Sequence, residues 1–418
     1  MADDTSLPIL RQRSTSTTRT IAEDARLRDA HPVRSLYIHV PFCLHKCHYC
    51  DFYSFVDRRD RQGAFTDRLC RELDALAPLA AGQTLHTIFV GGGTPTLLAA
   101  EHWRTLLGCL HGNFSIARDT SGQTEFTVEC NPETADETLF GVLAEGGVNR
   151  LSIGAQSFDT RHLKALERHH EPASVGRALT LAGDAGIKRR SLDLIYAIPG
   201  QTTDECRVDL NEALTLPIDH ISAYNLTYEP QTAMTARLAS NDFVPADEDT
   251  ELEMFHAARE RCAAHGLRAY EISNFARPGF ECRHNLAYWR QHDWLAAGPS
   301  ASGHVAGHRY KVIPNLREYL KHDEDGFPQI IDHEPPDARR LLIERLMTGI
   351  RLAEGLDHPS ITRSAAALDA ETADRLHREI EGIAAEGYTT LTDGRLCLTD
   401  EGFPIADSIA LRLMSAVG

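Results

Sequence analysis

The chain has 418 residues, 42% of them hydrophobic and 25% charged, and a formal net charge of -17. These proportions are ordinary for a packed globular protein and leave room for one large α/β domain with a smaller one attached. The acidic balance argues against a long nucleic-acid footprint, which needs a basic stripe, and no apolar run is long enough to form a transmembrane segment.

Residues 1–34 are polar and rich in Thr, Ser and Arg, as in RQRSTSTTRT. Asp3, Asp4, Glu23, Asp24 and Asp29 depart from the acidic-poor pattern of a transit peptide, and no apolar core marks a secretory signal. The stretch reads as a flexible tail on a cytoplasmic protein. From residue 35, short apolar strands alternate with amphipathic stretches such as FTDRLCRELDALAPL. Strands are expected over Ser35–Val40, His86–Val90, Glu125–Cys130, Arg150–Gly154, Ser191–Tyr196 and His220–Asn225. Six strand–helix alternations predict a parallel sheet in a partial (β/α)6 barrel over residues 35–265, with chemistry at the carboxyl ends of the strands. A helix over Asp247–His265 is followed by an extended stretch, Leu267–Ile272, and an extension to residue 334. After Pro335–Pro336 the composition changes. Helices over Arg339–Ile350 and Thr372–Ala385, a hairpin turning at Asp393–Gly394 and a helix over Pro404–Met414 predict a smaller, winged-helix-like domain over 335–418.

Of ten cysteines, three crowd into YIHVPFCLHKCHYCDFYS as Cys43, Cys47 and Cys50. A disulfide framework is not expected without a secretory signal, so a tight cluster reads as a metal site. The C-x3-C-x2-C spacing lets each thiolate reach a different iron of a [4Fe–4S] cluster and leaves one iron for an exogenous ligand. A tetrahedral zinc site is the other reading, with His39, His45 or His48 as the fourth ligand. One strand–helix unit further on, FVGGGTPT places Gly91, Gly92, Gly93 and Thr94 where backbone can approach a ligand closely. Glu129 ends the third strand, Gln156 follows the fourth and Asp193 lies on the fifth, while Arg168 falls between the fourth and fifth. Together they offer a guanidinium for a carboxylate, and carboxylate or amide groups for hydroxyls or an ammonium.

A C-x3-C-x2-C loop after a first barrel strand resembles the signature of radical S-adenosylmethionine (SAM) proteins. The resemblance implies SAM chelating the open iron, a 5′-deoxyadenosyl radical on reduction, and an electron donor for the cluster. The positions of Gly92, Gly93, Thr94, Glu129, Gln156, Arg168 and Asp193 resemble the SAM-binding set of the coproporphyrinogen III dehydrogenase-like (HemN-like) group. By the same resemblance, Tyr37 is expected near the carboxylate of the bound ligand and Tyr49 against its adenine.

Further stretches resemble the HemW haem-chaperone family: GVNRLSIGAQSF, SLDLIYAIPGQT, HISAYNLTYEPQT, YEISNFARPGFECRHNLAYW and AAGPSASGH. The H-N-x-x-Y-W element at His284, Asn285, Tyr288 and Trp289 implies haem as a bound partner and a haem-acceptor protein downstream. Taken as chemistry alone, His284 offers an axial imidazole, Tyr288 and Trp289 flat faces, and Arg277, Arg283 or Arg290 a propionate contact; Cys282 is an alternative donor. The dehydrogenase loop continues to a fourth cysteine, where Phe52 stands here. That departure favours a binding and delivery role, while the SAM set keeps radical chemistry on a porphyrinogen as the alternative.

Overall fold

The structure, a computed structural model, describes residues 16–27, 33–118, 122–323 and 325–418. It opens with helix α1 (Thr18–Leu27), which buries Ile21, Ala22 and Ala25. The expectation of a flexible tail is corrected for this stretch: three apolar residues at helical spacing form a face that docks, and Asp24 bonds His308 Nε2 at 2.6 Å. Residues 1–15 and 28–32, also in that reading, lie outside the described residues.

Six strand–helix units follow: β1 (Ser35–Val40), α2 (Gln62–Leu76), β2 (Thr87–Gly92), α3 (Ala100–Asn113), β3 (Glu125–Cys130), α4 (Glu137–Glu145), β4 (Arg150–Gln156), α5 (Thr160–Ala165), α6 (Ala173–Asp184), β5 (Arg189–Tyr196), α7 (Thr203–Thr215) and β6 (His220–Asn225). β1 to β6 are parallel neighbours in chain order. Then come α8 (Ala233–Ala239), α9 (Glu248–Ala264), β7 (Arg268–Ala269), β8 (Asn274–Ala276), α10 (Arg283–Trp289) and β9 (Leu295–Ala297). β9 joins the free edge of β1 in parallel, and β8 joins β6 antiparallel. The resulting nine-stranded sheet, β7-β8-β6-β5-β4-β3-β2-β1-β9, has two free ends, so the barrel is partial as expected. The extended stretch predicted at Leu267–Ile272 shrinks to Arg268 and Ala269, because the chain turns back at once and Tyr270 N–H bonds Asn274 O.

A three-stranded antiparallel sheet of β10 (Ser302–Val305), β11 (His308–Val312) and β12 (Ile330–Glu334), with α11 (Leu316–Lys321), packs beside the barrel. The C-terminal part contains α12 (Ala338–Gly349), β13 (Leu356–Asp357), α13 (His358–Leu368), α14 (Ala370–Ala385), β14 (Thr389–Thr392), β15 (Arg395–Leu398) and α15 (Ala406–Val417). Its three short strands and four helices have the winged-helix-like order that the hairpin implied. Side-chain caps start the helices where they are needed: Asp247 on α9, Asp337 on α12, Asp369 on α14, and a Thr202–Glu205 capping box on α7.

The strands are buried on both faces, yet the faces differ. Leu36, Ile38 and Val40, Ile88 and Val90, Phe126 and Val128, Leu151 and Ile153, and Leu192 and Leu194 pack in the apolar core. The alternating residues form a polar lumen: Tyr37 and His39, Thr87, Glu125, Thr127 and Glu129, Arg150 and Ser152, Ser191 and Asp193, His220 and Ser222. No helix of the described residues is long and apolar enough to cross a membrane.

Candidate functional site

The cysteine loop leaves the carboxyl end of β1. Cys43 N–H bonds Phe55 O at 3.0 Å and Phe55 N–H returns to Pro41 O at 3.0 Å, closing the loop at its base. Each of the three sulfurs faces a side-chain donor. Thr94 Oγ1 lies 3.6 Å from Cys43 Sγ, Arg168 Nη1 3.8 Å from Cys47 Sγ, and Lys46 Nζ 3.8 Å from Cys50 Sγ. Hydrogen-bond donors and cations around thiolates stabilise the negative charge that an iron–sulfur cluster carries. Burial pushes the Cys43 and Cys50 thiols above their ordinary range, so occupation by metal is coupled to proton release.

Among the described residues, no three metal-ligating atoms that include these thiols lie within 4.8 Å of one another. A tetrahedral zinc ion needs four ligand atoms gathered round one point, whereas the cysteines of a cubane bind separate irons. Of the histidines weighed as a fourth ligand, His39 has both ring nitrogens engaged, Nδ1 with the Tyr37 hydroxyl at 3.1 Å and Nε2 with Tyr53 O at 2.8 Å. His48 faces Arg237 at 3.4 Å, and His45 turns to Glu167 at 3.5 Å.

The glycine run packs tightly under this loop. Gly93 N–H bonds Val40 O and Thr94 N–H bonds Phe42 O, each at 2.7 Å. A Cβ on Gly93 would meet Phe42 O at 2.6 Å, and one on Gly92, whose φ is +104°, would meet the His39 ring at 2.4 Å. Much of the close approach expected from these glycines is thus between β2 and the protein's own loop.

Glu129 Oε2 accepts from Gly92 N–H at 3.0 Å. Burial, and then the nearby Asp193, raise this carboxyl to about 7. Asp193 accepts from Ser152 Oγ at 3.1 Å, and burial raises its carboxyl too. Gln156 sits just past a bulge in the β4–β5 register with φ +62°, beside Gly154 and Arg168. Arg168 is held by Gly154 O at 2.8 Å and Asn131 Oδ1 at 3.0 Å, and Asn131 Nδ2 also bonds Thr94 Oγ1 at 3.2 Å. Asn131, which sequence reasoning missed, therefore links the glycine run to the arginine; its place one residue after β3 was the available signal. Tyr37 lies lower in the lumen, beneath the glycines. Tyr49 packs with a small cluster containing Leu166, Ile195, Ile198, Leu226 and Met234 beside the loop.

His284 lies at the other end of the barrel. Its Nδ1 shares a 2.8 Å hydrogen bond with Thr87 Oγ1, at the start of β2, and Nε2 shares one of 2.8 Å with the Tyr288 hydroxyl. The ring stacks on Phe89 at 5.3 Å, and its backbone N–H bonds Glu125 Oε1 at 3.1 Å. Burial lowers this imidazole to about 3, keeping it neutral. With five strand steps between Thr87 and Gly92, the histidine and the cysteine loop are separated by roughly 16 Å of strand.

The rest of the H-N-x-x-Y-W helix borders a cavity of about 570 Å³. It occupies the seam between the free ends of the sheet, with Asn274 on one side, Trp294 on the other and α12 above. Tyr288, Trp289 and Trp294 supply flat apolar walls, and Met347, Arg309 and Arg351 also line it. The three arginines expected near a propionate are elsewhere. Arg290 forms a two-pronged pair with Glu354 at 2.9 and 3.0 Å, Arg283 bonds Gln123 O, and Arg277 faces His265 O. Cys282 is fully buried, directs its thiol at Glu125 and is pushed up to about 12 by burial.

A cysteine loop at the mouth of a partial parallel barrel, with acidic, amide and guanidinium groups at the strand ends, defines a radical SAM protein. The radical SAM superfamily model matches residues 37–213, and the HemN C-terminal domain model matches residues 337–405. The chain belongs to the HemW family. It is 34% identical over 383 residues to "Heme chaperone HemW" of Mycobacterium tuberculosis (strain ATCC 25618 / H37Rv), covering 91% of this chain and 94% of that protein. The Bacillus subtilis (strain 168) relative of the same name is 33% identical over 325 residues, covering 78% and 85%. In fold, the chain matches coproporphyrinogen III oxidase (HemN) from Escherichia coli, described as a radical SAM enzyme, with a TM-score of 0.79 at 22% identity, covering 94% and 93% of the two chains.

Proposed function

We propose that this protein is a haem chaperone that holds haem in the seam cavity and passes it to an acceptor protein, with a [4Fe–4S] cluster and SAM bound at the opposite mouth of the barrel. The seam cavity carries the reading. Its volume falls within the roughly 300–1,000 Å³ of small-molecule sites, and three aromatic rings match a flat macrocycle, whose carboxylates would take over the guanidinium groups of Arg309 and Arg351 from their present partners Glu344 and Asp407, each at 2.7 Å. Met347 adds a thioether to that wall, a second axial-donor chemistry besides the imidazole of His284. Ligation by His284 requires the Tyr288 hydroxyl to release Nε2. At the mouth, Cys43, Cys47 and Cys50 hold the cluster. Arg168, Glu129, Gln156, Asp193 and the backbone carbonyls of Gly92–Thr94, whose amides are already bonded to Glu129, Val40 O and Phe42 O, orient SAM, with Tyr37 below and Tyr49 beside it. When bound and reduced, this pair supplies radical chemistry. Phe52 offers no sulfur and is 61% exposed, which favours delivery over oxidation of a porphyrinogen.

The test is anaerobic titration of the cluster-loaded protein with haem, with and without SAM. One haem per chain is expected, with affinity falling at least tenfold in Trp289→Ala. Equal affinity in that variant removes the seam as the site. Conversion of coproporphyrinogen III to protoporphyrinogen in the presence of SAM and a reductant overturns the chaperone reading.

SAM binding should also report the Glu129 carboxyl. Held near 7 by burial and by Asp193, it is mostly neutral at pH 6 and mostly ionised at pH 8. A cationic ligand favours the ionised form, so affinity should rise about tenfold across that range and stay nearly flat in Glu129→Gln. Calorimetry on the cluster-loaded protein checks this; an identical pH slope in the variant removes Glu129 from the SAM site.

A further inference from the structure

Beside the cysteine loop lies a second group of metal-ligating side chains that neither the cluster nor SAM engages. His45 projects from the loop between Cys43 and Cys47, while Glu167 and His169 flank Arg168 on the segment after α5. Their ligand atoms all lie within 4.8 Å of one another. His45 Nε2 is 3.5 Å from Glu167 Oε2, and His169 Nε2 is 3.9 Å from the same oxygen. The two imidazoles meet edge to face with centroids 4.4 Å apart. His45 Nε2 is shielded from solvent and makes no hydrogen bond. Glu167 has φ +57°, a left-handed conformation uncommon outside glycine, asparagine and aspartate.

We infer that His45, Glu167 and His169 form a binding site for a divalent first-row transition metal, separate from the iron–sulfur cluster. Two imidazoles and a carboxylate are a borderline N/O donor set that suits zinc and its neighbours. Zinc bonds of about 2.0–2.1 Å hold tetrahedral ligands roughly 3.3–3.4 Å apart, so the 3.5 and 3.9 Å separations need a small contraction, and the third, between the two imidazoles, lies within 4.8 Å. An adjoining cavity of about 360 Å³, lined by Glu167, His169 and Lys164, opens beside two of the three ligands. The ion gives His45 Nε2, which makes no hydrogen bond, a direct bond. It also ties the cysteine loop to the segment carrying Arg168, which approaches Cys47 Sγ at 3.8 Å.

The experiment uses full-length protein whose iron and sulfide content shows the cluster loaded, held anaerobically and titrated with zinc chloride against a chromophoric chelator. One zinc per chain is expected to be withheld, with affinity falling at least tenfold in His169→Ala and in Glu167→Gln. His377→Ala, which removes an exposed histidine facing Glu381, should leave affinity unchanged. His169 is exposed, so its loss does not threaten the fold. No withheld zinc, undiminished affinity in His169→Ala, or sulfur ligands in the zinc-edge absorption spectrum each overturn the proposal.

Discussion

Cys47→Ser should leave the anaerobically reconstituted protein almost without iron and without the visible absorbance of a [4Fe–4S] cluster, whereas Cys70→Ser should retain both. Cys47 is the middle of three thiols presented by one short loop, and its sulfur faces the Arg168 guanidinium at 3.8 Å. Removing it leaves two sulfurs for four irons and a buried cation facing a hydroxyl. Cys70, by contrast, lies on α2 next to Cys109 of α3, whose thiol donates to Cys70 O at 3.6 Å on the outer helical layer. Iron and sulfide assays with visible spectra decide the matter. Native-like iron content in Cys47→Ser, or zinc in the oxygen-protected parent protein, would refute the cluster assignment.

The second large effect is expected at His284. The His284→Ala change removes hydrogen bonds to Thr87 and Tyr288 and opens a void against Phe89, all at a fully buried position. A cost of about 2–4 kcal/mol is expected from the orphaned hydroxyls and the lost packing. Denaturant midpoints should therefore fall well before any ligand is added. If His284 also ligates haem, the Soret band of the complex shifts in this variant. A lowered midpoint with an unshifted Soret band and unchanged haem affinity makes His284 a structural residue and leaves Met347 as the donor to examine next.

These two positions mark how far the site was legible in the sequence. The cysteine loop was readable because its ligands are neighbours in the chain, so spacing alone carried the geometry. The barrel strands were readable from their apolar runs: β1, β3 and β6 have the expected ends, and β2, β4 and β5 differ from them by only a residue or two. The polar lumen was readable only in part, at Tyr37, Glu129 and Asp193, because Thr87, Arg150 and His220 stand singly at strand starts; the alternation of side chains between the two faces was the signal that would have found them. Arg277, Arg283 and Arg290 looked suitable through closeness in sequence to His284, yet their side chains end on other partners. Arg309 and Arg351, paired with Glu344 and Asp407, and Met347 reach the seam from β11 and from the end of α12, and nothing local in the sequence announces that convergence. Helix α1 was missed because the polar composition of its surroundings outweighed a face of only three apolar residues.

The late pairing of β9 with β1 bears on how the protein is made. Strand β1, from which the cysteine loop hangs, keeps one edge without a mate until residues 295–297 have been synthesised. At typical ribosomal speeds of about 5–20 residues per second, that interval lasts on the order of 10–50 s. A nascent chain given iron during this window would receive it on a half-supported loop, so maturation of the cluster should follow synthesis of β9 rather than precede it.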